Sequence, residues 1–339
     1  MDNCSIRVKN VYKYFEQKGS GSGKLLFSEK KKVKAVDGIS LEVRPGEITG
    51  IIGESGCGKS TFGKLLIKLE DVTSGQIIVG DREINEFYKN DKLQFRRNVQ
   101  MVFQNPFDTF DPRYTIKKIL MEVLDIHHIG NTKEEKMEII TKGLESVELK
   151  PAEDYMDRRP HELSGGQLQR VSILRAMLLK PKVLISDEPV SMLDVSVRAD
   201  VIKMLQNLAR ENGTTLLFIS HDINTVRYIS DRVIVMYLGR IVEEGITDEV
   251  LHNPQHPYTK ALISNCSSID VFEKKEKIKV DGEPPSPIDN GPGCYFAPRC
   301  PFAAGKCAQT YPDMQKISDT HKASCHLLNE KEDEQEIKN

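Results

Sequence analysis

A glycine-rich segment between a predicted strand and a predicted helix constrains the fold of this chain more than any other feature. The apolar run over residues 47–52 leads directly into this segment, and a helical pattern follows it over residues 61–66. The segment is Gly53-Glu54-Ser55-Gly56-Cys57-Gly58-Lys59-Ser60-Thr61, which matches G-x-x-x-x-G-K-[ST] at every fixed position. Its glycines allow successive backbone N–H groups to converge on phosphates, while Lys59 can contact the β- and γ-phosphates and Ser60 can offer its hydroxyl to Mg²⁺. A plain glycine-rich turn is the alternative, but the order of strand, loop and helix favours a nucleotide-phosphate site.

Two acidic residues end a second apolar run. Residues 183–186 predict a buried strand, and Asp187 and Glu188 follow it directly. The carboxyl ends of parallel strands form the edge of the sheet where ligands of such folds bind. At that edge Asp187 can hold Mg²⁺ directly or through water, and Glu188 can orient or deprotonate the water that attacks a γ-phosphate. An isolated Asp-Glu pair is more often a solvated turn, so this prediction depends on the motifs that accompany it.

The second half of the chain alternates between strand-like and helical patterns. Apolar runs at 183–185 and 215–219 are separated by a helical pattern at 197–208, and this alternation predicts a parallel sheet covered on both faces. Residues 233–242 predict a hairpin that closes the core. Between 113 and 160, apolar residues recur at spacings of three and four, which predicts an inserted helical lobe.

Length and composition limit the number of domains and the classes of function that the chain can have. The 339 residues allow about two domains. Lys and Arg (48) nearly balance Asp and Glu (50), so no overall positive field attracts nucleic acid. No run approaches the length of about 18 apolar residues that a membrane helix needs, and the first residues have no apolar signal region. We therefore expect a cytosolic or membrane-peripheral protein whose seven cysteines are reduced thiols or metal ligands.

The motif Leu163-Ser164-Gly165-Gly166-Gln167, followed by a helical segment and then by the Asp-Glu strand, resembles the signature of the ATP-binding-cassette family. This resemblance implies an α/β fold, namely a P-loop NTPase (RecA-like) nucleotide-binding domain with an antiparallel β subdomain, an inserted helical subdomain and a small Cys-rich C-terminal module. The implied boundaries are 1–255 for the nucleotide-binding domain, with the helical subdomain at about 105–165, then 256–328 for the C-terminal module and 329–339 for a polar tail.

The same resemblance implies roles for further single residues. Gln104 matches the glutamine that senses Mg²⁺ and water, and His221 matches the histidine that contacts the γ-phosphate. Asp194 lies in a segment that matches the D-loop. Phe15 stands where the family places an aromatic residue that stacks on adenine, although the adjacent Tyr14 is an alternative. An isolated histidine after a strand is usually structural, and only this set of motifs assigns a function to His221.

In this family each ATP lies between the phosphate loop of one subunit and the signature of the other. This chain has one loop, with Lys59, and one signature, with Ser164, so the resemblance implies a dimer with itself or with a similar partner. ATP binding would bring the two subunits of the dimer together, and ATP hydrolysis would let them separate.

Within the family, the chain is most similar to the ATPases of di- and oligopeptide importers. The most specific segment is His252-Asn253-Pro254-Gln255-His256-Pro257-Tyr258-Thr259-Lys260-Ala261-Leu262. The resemblance implies two often non-identical ATPase subunits on the cytoplasmic face, beneath two membrane permeases that an extracytoplasmic binding protein supplies. The same branch imports nickel, opines and some sugars, and the motifs do not separate these substrates.

Four cysteines near the C-terminus, Cys294, Cys300, Cys307 and Cys325, are similar to the cysteine module of this branch. Their spacing fits neither the C-x₂-C zinc pattern nor the bacterial ferredoxin run. The resemblance favours a 4Fe-4S cluster, and Zn²⁺ or four packed thiols are the alternatives. A fifth cysteine, Cys57, lies beside a lysine at a helix N-terminus, which favours its thiolate and predicts that its alkylation blocks ATP binding.

Two other classes of function compete with the importer ATPase. A soluble cassette ATPase that acts on ribosomes or DNA is disfavoured, because about a hundred residues without sustained heptads separate Lys59 from Leu163. A cassette that binds ATP without hydrolysing it is disfavoured because Lys59, Gln104, Glu188 and His221 are all present.

Overall fold

The computed structural model describes residues 6–16, 32–265, 278, 280, 282, 283, 285–288 and 290–328. The polar tail predicted at 329–339 lies outside these residues. None of the helices in the described ranges is long and apolar enough to cross a membrane.

The described strands, in chain order, are β1 (Ile6–Glu16), β2 (Lys32–Val43), β3 (Ile48–Ile52), β4 (Ser74–Val79), β5 (Arg82–Glu83), β6 (Val99–Val102), β7 (Val183–Asp187), β8 (Thr215–Ile219), β9 (Arg232–Tyr237), β10 (Arg240–Ile246), β11 (Gln315–Lys316) and β12 (Lys322–Ala323).

The described helices are α1 (Lys59–Leu66), α2 (Ile84–Asn90), α3 (Lys92–Asn98), α4 (Ile116–Ile126), α5 (Lys133–Ser146), α6 (Glu153–Met156), α7 (Gly165–Met177), α8 (Val195–Glu211), α9 (Ile223–Ile229), α10 (Thr247–His252), α11 (Pro257–Ser264) and α12 (Gly305–Gln309). Short 3-10 helices lie at Pro106–Thr109, Pro160–Glu162 and Ala297–Arg299.

The larger sheet has the order β11-β12-β10-β9-β3-β8-β7-β6, and its part from β9 to β6 is parallel. Strands β3, β7 and β8 are buried along their whole length, as expected for strands covered on both faces. The predicted parallel sheet is therefore confirmed. Because β6, β7, β3 and β8 are parallel, the segments that follow them all leave the sheet at the same edge.

A smaller antiparallel sheet has the order β2-β1-β4-β5. Its strands β1 and β2 are long, and register shifts interrupt their pairing. The residue pairs Tyr12↔Asp37 and Phe15↔Val33 belong to this ladder. The sheet carries Asp37 close to the segment that follows β3, which Ala35 approaches through its carbonyl oxygen.

Helices α4, α5 and α6 lie in the region where the sequence predicts a helical lobe. The apolar face of α4 is buried through Ile116, Ile119, Leu120 and Leu124. Helix α5 begins after Thr132, whose side chain accepts a hydrogen bond from the backbone N–H of Glu135, a standard N-cap. The helical pattern predicted between 113 and 160 is confirmed, because it coincides with α4, α5 and α6.

The segment after α10 packs into the same core as the sheet. Strand β12 pairs with β10 and so extends the larger sheet. The rings of Tyr258 and Phe296 are almost completely buried against Tyr237 on β9, with centroids 4.6 and 5.3 Å away. This arrangement brings residues from the C-terminal segment close to the loop that follows β3.

Candidate nucleotide-binding site

The glycine-rich loop connects β3 to α1, as the sequence predicts. Gly53 and Gly58 have φ angles of +154° and +102°, which residues with a side chain rarely adopt. A Cβ atom at Gly58 would lie 2.0 Å from the carbonyl oxygen of Ala35, and one at Gly53 would lie 2.2 Å from that of Met236. Neighbouring backbone therefore fixes the path of the loop, and only glycine fits at these two positions.

The ammonium of Lys59 lies inside the curve of this loop. Its Nζ donates to the carbonyl oxygens of Gly53 at 2.7 Å and of Glu54 at 2.9 Å, and the side chain is almost fully buried. A buried ammonium beside several backbone N–H groups forms a concave, positively charged cradle. Such a cradle is suited to bind the phosphates of a nucleotide.

Ser60 and Asp187 meet at the edge of the cradle. The Ser60 hydroxyl donates to Oδ1 of Asp187 at 2.9 Å, although the two residues lie on different elements. Burial is the main cause that raises the pKa of Asp187, and the charge of the adjacent Glu188 acts in the same direction. Mg²⁺ prefers oxygen ligands and is held by few protein groups together with phosphates and water, so this oxygen pair fits that ion.

Two predicted residues converge on the carboxylate of a third, Glu188. Gln104 Nε2 lies 3.2 Å from Oε2 of Glu188, and His221 Nδ1 lies 3.2 Å from the same oxygen. Glu188 itself has a φ of +45°, an unusual conformation for a residue with a side chain, and its N–H donates to the carbonyl oxygen of Ile219. The carboxylate is thus contacted by two side chains, and the backbone that carries it is fixed by a further hydrogen bond, an arrangement suited to a general base.

The signature motif forms the start of α7. The Ser164 hydroxyl accepts from the N–H of Gln167, and the Gln167 side chain accepts from the N–H of Ser164, which is a capping box. The motif lines a cavity of about 330 Å³ together with Leu193, Asp194 and Val197. No residue of the glycine-rich loop lines this cavity, so the described structure does not bring the signature to the loop within one chain.

The two candidate adenine-stacking residues differ in their surroundings. The Tyr14 hydroxyl donates to Oδ1 of Asp37, so its ring is held against the interior. The Phe15 ring is 38% exposed, and Lys13 Nζ lies 4.7 Å from its centroid. Phe15 is therefore the residue with a ring face available for a base.

The expectation for Cys57 is wrong in one respect. Its side chain is buried, and burial raises the pKa of this thiol despite the opposing effect of Lys59, whose Nζ lies 3.7 Å from Sγ. The sequence shows the neighbouring lysine but not the loss of hydration. The thiol form, and not the thiolate, is favoured at this position.

The four C-terminal cysteines form no disulfide bond. Cys294 donates through its backbone N–H to the carbonyl oxygen of Cys307, and burial raises the pKa of Cys325 to about 11. No group of three or more Cys, His, Asp or Glu side chains in the described part of the chain could hold a metal ion. As placed, the four thiols do not form the ligand set that a 4Fe-4S cluster or a Zn²⁺ ion needs.

Two further residues contact the loop, and the sequence patterns did not identify either contact. The N–H of Glu54 donates to the Tyr258 hydroxyl at 2.8 Å, and Arg299 forms an ion pair with the Glu54 carboxylate. Tyr258 lies in the segment that distinguishes the importer branch. That segment was the available signal, but spacing alone does not show what its side chains touch.

Sequence comparisons show two matching families. The family described as ABC transporter matches residues 36–191, and the family described as Oligopeptide/dipeptide transporter, C-terminal region, matches residues 242–307.

Individual proteins match over most of the chain. The oligopeptide transport ATP-binding protein OppF of Escherichia coli (strain K12) is 44% identical over 94% of this chain and 95% of its own length. OppF of Salmonella typhimurium (strain LT2) is 45% identical over 87% of this chain and 88% of its own length. Among solved structures, the post-hydrolysis dimer of the ATP-binding cassette MJ0796 bound to ADP and Pi is 27% identical, has a TM-score of 0.62 and is matched over 71% of this chain and 98% of that one.

Proposed function

This chain belongs to the ABC transporter family of ATP-binding proteins, and from that premise we propose that its ATP hydrolysis drives the import of short peptides. It is a cassette ATPase of the oligopeptide-transporter type. The substrate class follows from its similarity to oligopeptide transport ATP-binding proteins over almost the whole chain.

The convergence of Gln104 and His221 on Oε2 of Glu188 is the observation that carries the proposed mechanism. In it, Glu188 orients and deprotonates the attacking water, and His221 contacts the γ-phosphate. Lys59 and the loop N–H groups bind the phosphates, and Phe15 stacks on the adenine.

Mg²⁺ would be held by Ser60, Asp187 and Gln104. When bound, the ion neutralises charge on the β- and γ-phosphates. The Ser60 hydroxyl already lies at 2.9 Å from Asp187 Oδ1, so the two oxygens need little rearrangement to face one ion.

The signature motif acts on the nucleotide of a second subunit. Support comes from the cavity lined by Ser164, Gln167 and Asp194, which contains no residue of the chain's own phosphate loop. We propose a paralogous ATPase as the second subunit, two membrane permeases above the pair and an extracytoplasmic binding protein that supplies the peptide. The chain would then work as a peripheral subunit on the cytoplasmic face of the membrane.

For the domain organisation, we propose a nucleotide-binding domain over 1–255, with its helical subdomain at about 105–165, and a C-terminal module over 256–328. The two family matches, 36–191 and 242–307, support a division of this kind.

The 4Fe-4S cluster on Cys294, Cys300, Cys307 and Cys325 stays a proposal. It is supported by the position of all four cysteines within 32 residues of sequence. Iron, zinc and acid-labile sulfide should be measured in full-length protein purified without oxygen. Equal iron and sulfide supports the cluster, zinc alone supports the Zn²⁺ site, and the absence of all three supports packed thiols.

The transport proposal is tested by uptake of a labelled short peptide in the source cell, with Glu188→Gln in the chromosomal copy and Ni²⁺ uptake measured in parallel. We expect peptide uptake to collapse while nickel uptake is unchanged. A fall in nickel uptake alone would show that the chain powers an importer but that the imported substrate is nickel and not a peptide. No change in either would contradict peptide import.

A further inference from the structure

The first variable residue of the phosphate loop is held by an ion pair from the C-terminal segment. Arg299 Nη1 lies 2.8 Å from Oε2 of Glu54, and Arg299 Nη2 lies 3.2 Å from Oε1. The side chains of Arg299 and Glu54 are only 9% and 27% exposed. This paired geometry fixes the orientation of the carboxylate as well as neutralising its charge.

The backbone of Glu54 is held by the same segment. Its N–H donates to the hydroxyl of Tyr258, a residue of α11 that is 1% exposed. Arg299 Nη1 also lies 3.4 Å from the hydroxyl of Tyr237, whose ring packs against Tyr258. Both ends of Glu54, its N–H and its carboxylate, are therefore bound by residues beyond position 255.

A second connection reaches the middle of the loop. The Tyr295 hydroxyl donates to Asp37 Oδ2, and Arg240 Nε donates to the same oxygen at 2.9 Å. The N–H of Asp37 donates to the carbonyl oxygen of Gly239, and the N–H of Gly239 donates to that of Cys57 at 2.8 Å. The C-terminal segment thus contacts the loop at Glu54 and is linked to it again at Cys57.

The charge of Glu54 makes its ion pair with Arg299 important for nucleotide binding. A phosphate cradle attracts anions, and an uncompensated carboxylate within it would repel them. The ion pair is largely shielded from water, so salt screens it less than a surface pair. Removing the guanidinium would leave an uncompensated negative charge in the loop and release the carboxylate of Glu54.

We propose that Arg299 is a positioning residue for nucleotide binding, and that through Glu54 the C-terminal segment sets the affinity of the loop for ATP. The inference rests on the assignment of the loop as the nucleotide site. It assigns to the C-terminal segment a part in ATP binding, in addition to any part in transport.

The test measures the affinity of full-length protein for a fluorescent ATP analogue, together with KM and kcat for ATP and the melting temperature. The variants are R299M, E54Q, and both together. Arg113 forms an exposed ion pair with Asp111, so R113M is the matched control for the loss of an arginine. We expect R299M to weaken binding and raise KM by about tenfold with kcat within about threefold of wild type, while R113M changes neither.

The double variant tests whether R299M weakens ATP binding because the charge of Glu54 is left uncompensated or because packing of the Arg299 side chain is lost. Because E54Q removes the charge that Arg299 neutralises, E54Q/R299M should bind within about threefold of wild type. A double variant as weak as R299M, or a folded R299M with wild-type affinity, would overturn the proposal. If R299M does not fold, R299Q decides: it also removes the charge that neutralises Glu54, so affinity about tenfold weaker than wild type supports the proposal and wild-type affinity contradicts it. Failure of the wild type to bind ATP would instead contradict the nucleotide site itself.

Discussion

The side-chain amide of Gln104, which follows β6, lies 3.2 Å from Oε2 of Glu188, which follows β7, although 84 residues separate them in sequence. The parallel pairing of β6 with β7 produces this contact, because both strands end at the same edge of the sheet. His221, after β8, reaches the same oxygen from the other side. The catalytic proposal therefore depends on strand order more than on any local motif.

Replacing Gln104 tests this contact. We expect Gln104→Ala to lower kcat for ATP by about 10- to 100-fold, because the glutamate loses an orienting donor, with little change in ATP affinity. Steady-state hydrolysis and binding of a fluorescent ATP analogue measure the two quantities. The exposed Gln94 on α3 provides the control Gln94→Ala, which should have no effect. A Gln104→Ala protein with wild-type kcat would exclude an orienting role.

The two adjacent aromatic residues of β1 should respond differently to mutation. Phe15→Ala should weaken ATP binding by about 5- to 160-fold, since stacking of a base on a ring contributes about 1–3 kcal/mol. Tyr14→Phe should leave binding unchanged and lower the free energy of unfolding by about 1–3 kcal/mol, because it removes a donor from the buried Asp37. Binding titrations and urea unfolding of both variants check this. Wild-type ATP binding by Phe15→Ala would exclude stacking of the adenine on Phe15.

Asp37 should make stability depend on pH in the acid range. Burial alone would raise the pKa of this carboxyl, but hydrogen bonds from Tyr14 and Tyr295 and the charge of Arg240 hold it below its usual value of 3.8. The unfolded chain thus binds a proton more readily, so this stabilisation is present above pH 3.8 and is lost as the pH falls through the lowered pKa.

The variant Asp37→Asn should therefore be less stable at pH 7 by about 2–4 kcal/mol. Its free energy of unfolding should also fall less than that of wild type as the pH is lowered into the acid range. Urea unfolding over a pH series measures both effects. Asp319, whose side chain is 93% exposed, provides the control Asp319→Asn. If the free energy of unfolding of Asp37→Asn fell with acid pH as steeply as that of wild type, the assigned role of Asp37 would be contradicted.

His256 should affect stability at higher pH. Burial lowers its pKa to about 4, the charge of Glu243 opposes this shift and that of Lys260 adds to it. Because the unfolded imidazole has a pKa near 6.5, unfolding takes up a proton between pH 6.5 and 4. The folded state should lose up to about 3 kcal/mol over that interval as the pH falls.

The matched variant is His256→Asn. The Nδ1 of His256 accepts from the N–H of Tyr258 at the start of α11, and asparagine can serve as the same N-cap without titrating. We expect the variant to lose the pH dependence between 6.5 and 4 and to keep most of the stability at pH 7. A pH profile that is unchanged by the substitution would show that another group titrates there.

The sequence predicted the candidate site residues after the parallel strands in two ways: Glu188 from its place at the end of an apolar run, and Gln104 and His221 from the resemblance to the ATP-binding-cassette family. Gln104, Glu188 and His221 each come after an apolar run, and the geometry of a parallel sheet brings such positions together. The sequence was not sufficient for Tyr258 and Arg299, because the contact of each with Glu54 depends on how the C-terminal segment packs on β9. Such contacts form between residues about 200 or more positions apart, and no periodicity or spacing encodes them.

The same reason explains the error at Cys57. The neighbouring Lys59 and the helix N-terminus are visible in the sequence and both favour a thiolate. Burial has the opposite effect and is the larger cause, but it becomes apparent only when the tertiary structure is known. For the four C-terminal cysteines, likewise, sequence spacing gives their proximity along the chain but not the distances between their sulfur atoms.

The most direct test of the account is the rate of ATP hydrolysis by the full-length Glu188→Gln protein, measured together with its ATP affinity. Glu211 at the exposed end of α8 provides the control Glu211→Gln. The account predicts that Glu188→Gln lowers kcat by about 100- to 10,000-fold while ATP binding stays within about threefold of wild type, and that the control matches wild type. Unchanged turnover by Glu188→Gln would contradict the claim that this carboxylate activates the attacking water.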